Sequence, residues 1–251
     1  MNLETTMEHY TPRPDLLADR IILVTGAGDG LGKAAALAYA AHGATVILLG
    51  RTQSKLEALY DEIVGLGLPE PVIHPMNLQT ATEEEYKVLG DTILEQFGRL
   101  DGLLHSAAVL GPRTPLQFYA AESWMKVMQV NVNAAFLLCK SLLPALQASA
   151  DASVVFTSSS VGRKGRAYWG GYSVSKFAVE GLMQVLADEL RQTSAIRVNS
   201  IDPGATRTNM RKEAYPAEDP NTLVTPQERM GLYLFLMGPD SKGVTGEALH
   251  A

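Results

Sequence analysis

The sequence predicts a doubly wound α/β fold: one parallel sheet of about seven strands with helices covering both faces. Three observations carry this. Short runs rich in β-branched residues alternate with longer segments of helical periodicity along the chain. The short runs are almost continuously apolar, as strands buried on both faces require. A glycine cluster stands directly after the first of them.

The elements follow in order. Residues 20–25 (RIILVT) form the first strand, and the alanine-rich stretch 30–41 the first helix. Residues 44–49 (ATVILL) are a buried strand, and 54–66 a helix with Leu56, Leu59 and Ile63 at helical spacing. A weaker strand at 71–76 precedes a helix that Thr82 caps, with acidic residues 83–85 in its first turn and an end near Gly98. Strands at 100–105, 153–158 and 196–201 enclose two long helical segments, 123–148 and 172–192. A helix at 226–237 and a short strand near Glu247 complete the pattern. Residues 1–15, polar and containing Pro12 and Pro14, read as a flexible lead-in to a single domain over 16–251. Residues 205–224 break the rhythm with prolines and polar groups, and predict a loop covering a substrate.

Composition narrows the function. Apolar residues make up 46% and charged residues 19%, and the net charge is -6, so nothing draws the protein to nucleic acid or to an anionic membrane. No apolar stretch reads as long enough to span a bilayer, and the N-terminus, with Glu4 and Glu8, does not read as a signal peptide. The single cysteine, Cys139, lies in an apolar run and predicts a buried, inert thiol. These features together predict a cytoplasmic protein. His42, His74 and His105 lack metal-ligand spacing, so no metal is expected.

The cluster between the first strand and helix reads T-G-x-x-x-G-x-G, with Gly26, Gly30 and Gly32 in the key places and Gly28, Asp29 and Leu31 among them. Glycines there permit a tight turn and let backbone amides approach a pyrophosphate at a helix N-terminus. This predicts a Rossmann-type dinucleotide site. The second strand runs out into Gly50 and Arg51 with no carboxylate to accept from a ribose 2′-hydroxyl. A guanidinium pairs with phosphate, so NADP(H) is expected, with NAD(H) second. Asp29 is a counter-signal, because a carboxylate there would repel phosphates.

Tyr172 and Lys176 open a predicted helix as Y-x-x-x-K, which puts both on one face. A cation beside a phenol favours the phenolate, and Lys176 is expected to lower the Tyr172 pKa. Ser159, thirteen residues before Tyr172, stands at the C-terminal end of a strand, where open α/β sheets gather their ligands. Its hydroxyl can hold a carbonyl oxygen.

The glycine pattern, Ser159, Tyr172 and Lys176 together resemble the short-chain dehydrogenase/reductase family, over nearly the whole chain. Stretches such as DRIILVTGAGDGLG and VFTSSSVGRKGRA resemble its YciK-like group of bacterial oxidoreductases. The resemblance implies hydride exchange between a nicotinamide and a carbonyl or secondary alcohol. It implies that Asn131 holds a water in a proton relay and that Lys176 also grips the nicotinamide ribose. It places Ile201, Pro203, Gly204, Thr206 and Thr208 beside the nicotinamide end. It puts Asn77, followed by Leu78, where the family often has an aspartate for adenine. Dimers or tetramers built on the two long helices are implied too. One segment departs: His105-Ser106-Ala107-Ala108 stands where the family has N-N-A-G. That departure supports a rival expectation, a dinucleotide-binding regulatory protein with little turnover. The basic run Arg163, Lys164 and Arg166 and the aromatic pair Tyr168 and Trp169 are further candidates for the site mouth, or else solvated and packing residues.

Overall fold

The computed structural model describes residues 10–251, so the lead-in expected over 1–15 falls partly outside it. Its described end is docked: Tyr10 packs edge-on against Phe235 at 5.2 Å and donates to Asp240 at 3.0 Å.

Seven parallel strands form one sheet in the order β3-β2-β1-β4-β5-β6-β7. They are β1 (Ile21–Thr25), β2 (Thr45–Gly50), β3 (Val72–Pro75), β4 (Gly102–His105), β5 (Ser153–Thr157), β6 (Arg197–Asp202) and β7 (Ala248–His250). The order reverses between β1 and β4, and the carboxyl ends there open a crevice. Successive side chains of a strand point to opposite faces, so each strand feeds two cores. Ile22 and Val24 join one cluster, with α1 (Gly30–Ala41), α2 (Gln53–Gly65) and α8 (Met230–Met237). Leu23, Val154 and Phe156 join the other, with α3 (Glu83–Phe97), α5 (Ala134–Gln147) and α6 (Gly170–Leu190).

Local chemistry sets the boundaries. Thr82 and Glu85 exchange hydrogen bonds as a capping box at the start of α3, and Gly98 ends it with φ +73°. The helix expected over 123–148 is interrupted. α4 (Ala121–Met128) passes into one π turn, Gln129–Asn133, before α5. Such turns concentrate at functional sites, and this one carries Asn131. Contrary to the sequence reading, the segment Ala121–Gln147 is long and apolar enough to cross a membrane by length and composition. Its residues Ala134, Leu138 and Leu142 are buried against the sheet.

The segment expected to cover a substrate has structure of its own. Thr206 pairs with Val224, and between them lies α7 (Asn209–Ala214), capped by Thr208, whose hydroxyl accepts from the Arg211 N–H.

Candidate active site

A cleft of about 710 Å³ runs along the carboxyl ends of the strands. The glycine loop forms one end. Gly26 and Gly30 sit at φ +70° and +52°. A Cβ on Gly32 would lie 2.3 Å from the Gly26 carbonyl oxygen, and one on Gly26 would lie 2.9 Å from Ala107 Cα. Neither position tolerates a side chain, so the backbone of the loop comes to the surface of the groove without cover. Gly28, Asp29, Leu31, Arg51, Asn77, Leu78, Ser106, Ala107 and Ala108 line this half.

The departure at 105–108 is accommodated. The N–H groups of Ser106 and Ala107 each donate to Thr25 Oγ1 at 3.0 Å, and the Ala107 methyl lies beside the glycine that has no Cβ. His105 turns inward, stacked on Phe156 at 4.5 Å with Nε2 3.3 Å from Cys139 Sγ. Burial, helped by the Lys176 charge, brings its pKa down to about 3, so it is neutral. Burial raises the Cys139 thiol to about 12.

Asp29 is neutralised rather than repulsive. It caps α1 by accepting from the Gly30 N–H at 2.8 Å and pairs with Lys55 Nζ at 2.7 Å. Asn209 of α7 donates to both of its oxygens, at 3.2 and 3.0 Å. The Lys55 hydrogen bond, with Asn209 and against burial, holds the carboxyl below its usual range. Lys55 is a second cation beside Arg51 in the groove. Arg51 is exposed and forms no ion pair among the described residues.

Farther along the cleft stand Ser159, Tyr172 and Lys176; Pro203 and Thr206 also line it, while Thr208 lies beside the glycine loop, 3.4 Å from where a Cβ on Gly30 would be. Tyr172 is 8% exposed and Lys176 4%. Lys176 Nζ donates to the Thr157 carbonyl at 2.6 Å and lies 5.5 Å from the centre of the Tyr172 ring. The expected lowering of the tyrosine pKa is reversed. Burial pushes the Tyr172 hydroxyl up to about 12, and the Asp202 carboxylate adds to this, while a hydrogen bond with Ser159 opposes it. Lys176 itself is brought down to about 8 by burial, against the pull of Glu180 and Asp202. Desolvation is the largest cause of the shift in each of the two buried groups.

Three expected residues lie outside the cleft. Ile201 is fully buried in the core. Gly204, at φ +65°, forms the turn after Pro203 and backs onto Arg229 and His250. The Asn131 side chain is committed elsewhere: Oδ1 accepts from the Val109 N–H at 2.8 Å, and Nδ2 donates to the Val109 carbonyl and to Ser175 Oγ, each at 3.0 Å. Asn131 instead lines a second cavity of about 10 Å³, with His105, Thr157 and Lys176, a volume suited to about one water.

Arg163, Lys164 and Arg166 do not line the cleft; Arg163 pairs with buried Glu180 at 3.1 Å. Of the aromatic pair, Trp169 lines the cleft, while Tyr168 is exposed at φ +72°. Sequence reasoning missed Ser158, whose buried hydroxyl has no partner among the described residues. It also missed Lys55, Asn209 and the buried Asp202. Ser158 and Lys55 could have been found, one beside Ser159 and the other a helical turn beyond Arg51.

Comparison with known proteins agrees with this geometry. The short chain dehydrogenase profile matches residues 20–219, and the chain belongs to that family of oxidoreductases. It is 53% identical over 243 residues to the uncharacterized oxidoreductase YciK of Escherichia coli (strain K12), covering 97% of this chain and 96% of that one. It is 31% identical to cyclohexanol dehydrogenase of an Acinetobacter strain, over 91% of each chain. The crystal structure of the E. coli oxidoreductase yciK superposes with a TM-score of 0.93 at 53% identity, covering 96% and 98%. A protein described as a short chain dehydrogenase from Shigella flexneri, complexed with NADP, superposes at 0.92 with 52% identity, covering 95% and 99%.

Proposed function

We propose that this oxidoreductase exchanges hydride between NADP(H) and a carbonyl compound or secondary alcohol, with Tyr172 as the proton donor and acceptor. The observation that carries the reading is the shared cleft: the buried Tyr172 lies with Ser159 and Lys176 along one groove with the glycine loop. The donor set fits a phosphorylated dinucleotide. The glycine loop brings the α1 N-terminus to the groove, and Arg51, which forms no ion pair among the described residues, supplies the cation for a 2′-phosphate. The bound nicotinamide supplies or accepts the hydride. Ser159 orients a carbonyl oxygen, and Tyr172, protonated at neutral pH, delivers the proton to it. Lys176 holds the ribose and leads the replacement proton in. The small cavity lined by Lys176 and Asn131 suits the relay water. NADP as ligand of a relative at 52% identity supports the cofactor reading.

Met125, Phe136, Val174, Phe177 and Val185 are large exposed apolar residues on α4, α5 and α6. They support a homodimer or homotetramer packed through these helices. The buried free thiol of Cys139 supports a cytoplasmic location.

Replacement of Tyr172 by Phe tests the mechanism. Turnover of any accepted carbonyl should fall by about 10²–10⁴-fold, while the NADPH dissociation constant, read by fluorescence titration, stays within about twofold. A variant that turns over at wild-type rates contradicts the assignment.

A further inference from the structure

The wall above Tyr172 is a small hydrophobic cluster of its own, formed with Leu110, Val161, Trp169 and Ala214, against which Met210 packs. Its outer side is a stack of rings and guanidinium groups. The Trp169 ring lies 5.8 Å from that of Tyr172 and 6.0 Å from that of Tyr215. Arg113, from the loop after β4, holds its guanidinium 4.8 Å from the Trp169 ring centre and 4.7 Å from that of Tyr215. It also donates to the Ala214 carbonyl at the end of α7. Arg211 covers Tyr215 at 4.0 Å and is matched by two hydrogen bonds of 2.6 Å to Glu218.

Both cations on this side are therefore occupied as parts of the wall. A carboxylate or phosphate set against the apolar wall of Leu110, Trp169, Met210 and Ala214 would lose its water there without a paired cation in that wall, a costly exchange. Glu213, from the same helix, lines the cleft and would repel an anion. Lys126, the other cation lining the cleft on the α4 side, is solvent-exposed and outside the cluster.

We propose that the substrate is an uncharged carbonyl compound or secondary alcohol with apolar flanks, and that Arg113 is a positioning residue that sets this specificity by holding Trp169 against Tyr172. This rests on the oxidoreductase reading above. Arg113 caps two rings whose centres are 6.0 Å apart, and its planar guanidinium is not interchangeable with a compact ammonium group at such a site.

The test uses NADPH-loaded protein and two ketones of one shape, cyclohexanone and 4-oxocyclohexanecarboxylate. The neutral ketone should have a kcat/KM at least about 30-fold higher. In a Trp124→Phe background, which leaves Trp169 as the one tryptophan, R113A should shift the emission to the red. It should also raise the cyclohexanone KM at least about fivefold, with kcat and NADPH affinity within about twofold. R113K should restore neither. Equal or better use of the keto acid would overturn the proposal. So would failure of the NADPH-loaded protein to bind or reduce cyclohexanone, or an R113A variant with unchanged emission and KM. Failure to bind NADPH at all is a separate result, read before ketone is added, and it overturns the underlying reading.

Discussion

Tyr172 and His105 are displaced in opposite directions by the same cause. Burial disfavours the charged form of each, so the phenol rises to about 12 and the imidazole falls to about 3. For Tyr172 this secures a protonated donor in the direction of reduction. For His105 it creates an acid liability. Its folded pKa lies below the unfolded value of 6.5. The stability this provides is full above that value and is lost as pH falls toward 3. Between pH 8 and pH 5 the loss amounts to about 2 kcal/mol. Denaturant unfolding at the two pH values should show that drop in the wild type, and His105→Gln should remove most of it. An unchanged drop in the variant would place the acid sensitivity elsewhere.

At the level of elements, two glycines without a role in the chemistry predict opposite outcomes. A Cβ on Gly90 of α3 would lie 2.2 Å from the Ser141 carbonyl oxygen of α5, so Gly90→Ala must push these helices apart. It should cost about 1–3 kcal/mol. Gly65, the last residue of α2 and away from the exposed apolar face of α4–α6, has nothing within 4 Å of the same point, and Gly65→Ala should stabilise by about 0.4–1 kcal/mol. Unfolding midpoints of the two variants check both signs. The elements were legible in the sequence because their signals are local: apolar runs, the Thr82 cap, the glycine loop, the four-residue spacing of Tyr172 and Lys176. The π turn at Asn131 was not, since one wide turn leaves the apolar pattern of the flanking helices intact. The Asp29–Asn209 contact joins residues 180 apart. The Arg113 stack likewise joins three loops, and no spacing rule encodes such meetings. The pKa directions were illegible for a related reason. The sequence brings Lys176 beside Tyr172, but only the packed fold shows how far both are removed from water.

For the whole molecule, the fold leaves apolar side chains on one continuous set of helices. Phe177 is 45% exposed and Phe136 50%, on α6 and α5. Sedimentation should give a dimer or tetramer, and Phe177→Glu should shift it toward monomer, because a buried unpaired charge is costly at an apolar interface. A monomeric wild type would leave that face without its partner.

The cofactor groove is the feature on which everything else depends, and it can be tested without knowing the substrate. Parallel fluorescence titrations with NADPH and NADH, repeated on Arg51→Ala, test it most directly. The account predicts that NADPH binds at least about tenfold more tightly than NADH, about 1.4 kcal/mol, and that Arg51→Ala erases most of that preference. Binding of neither nucleotide would contradict it.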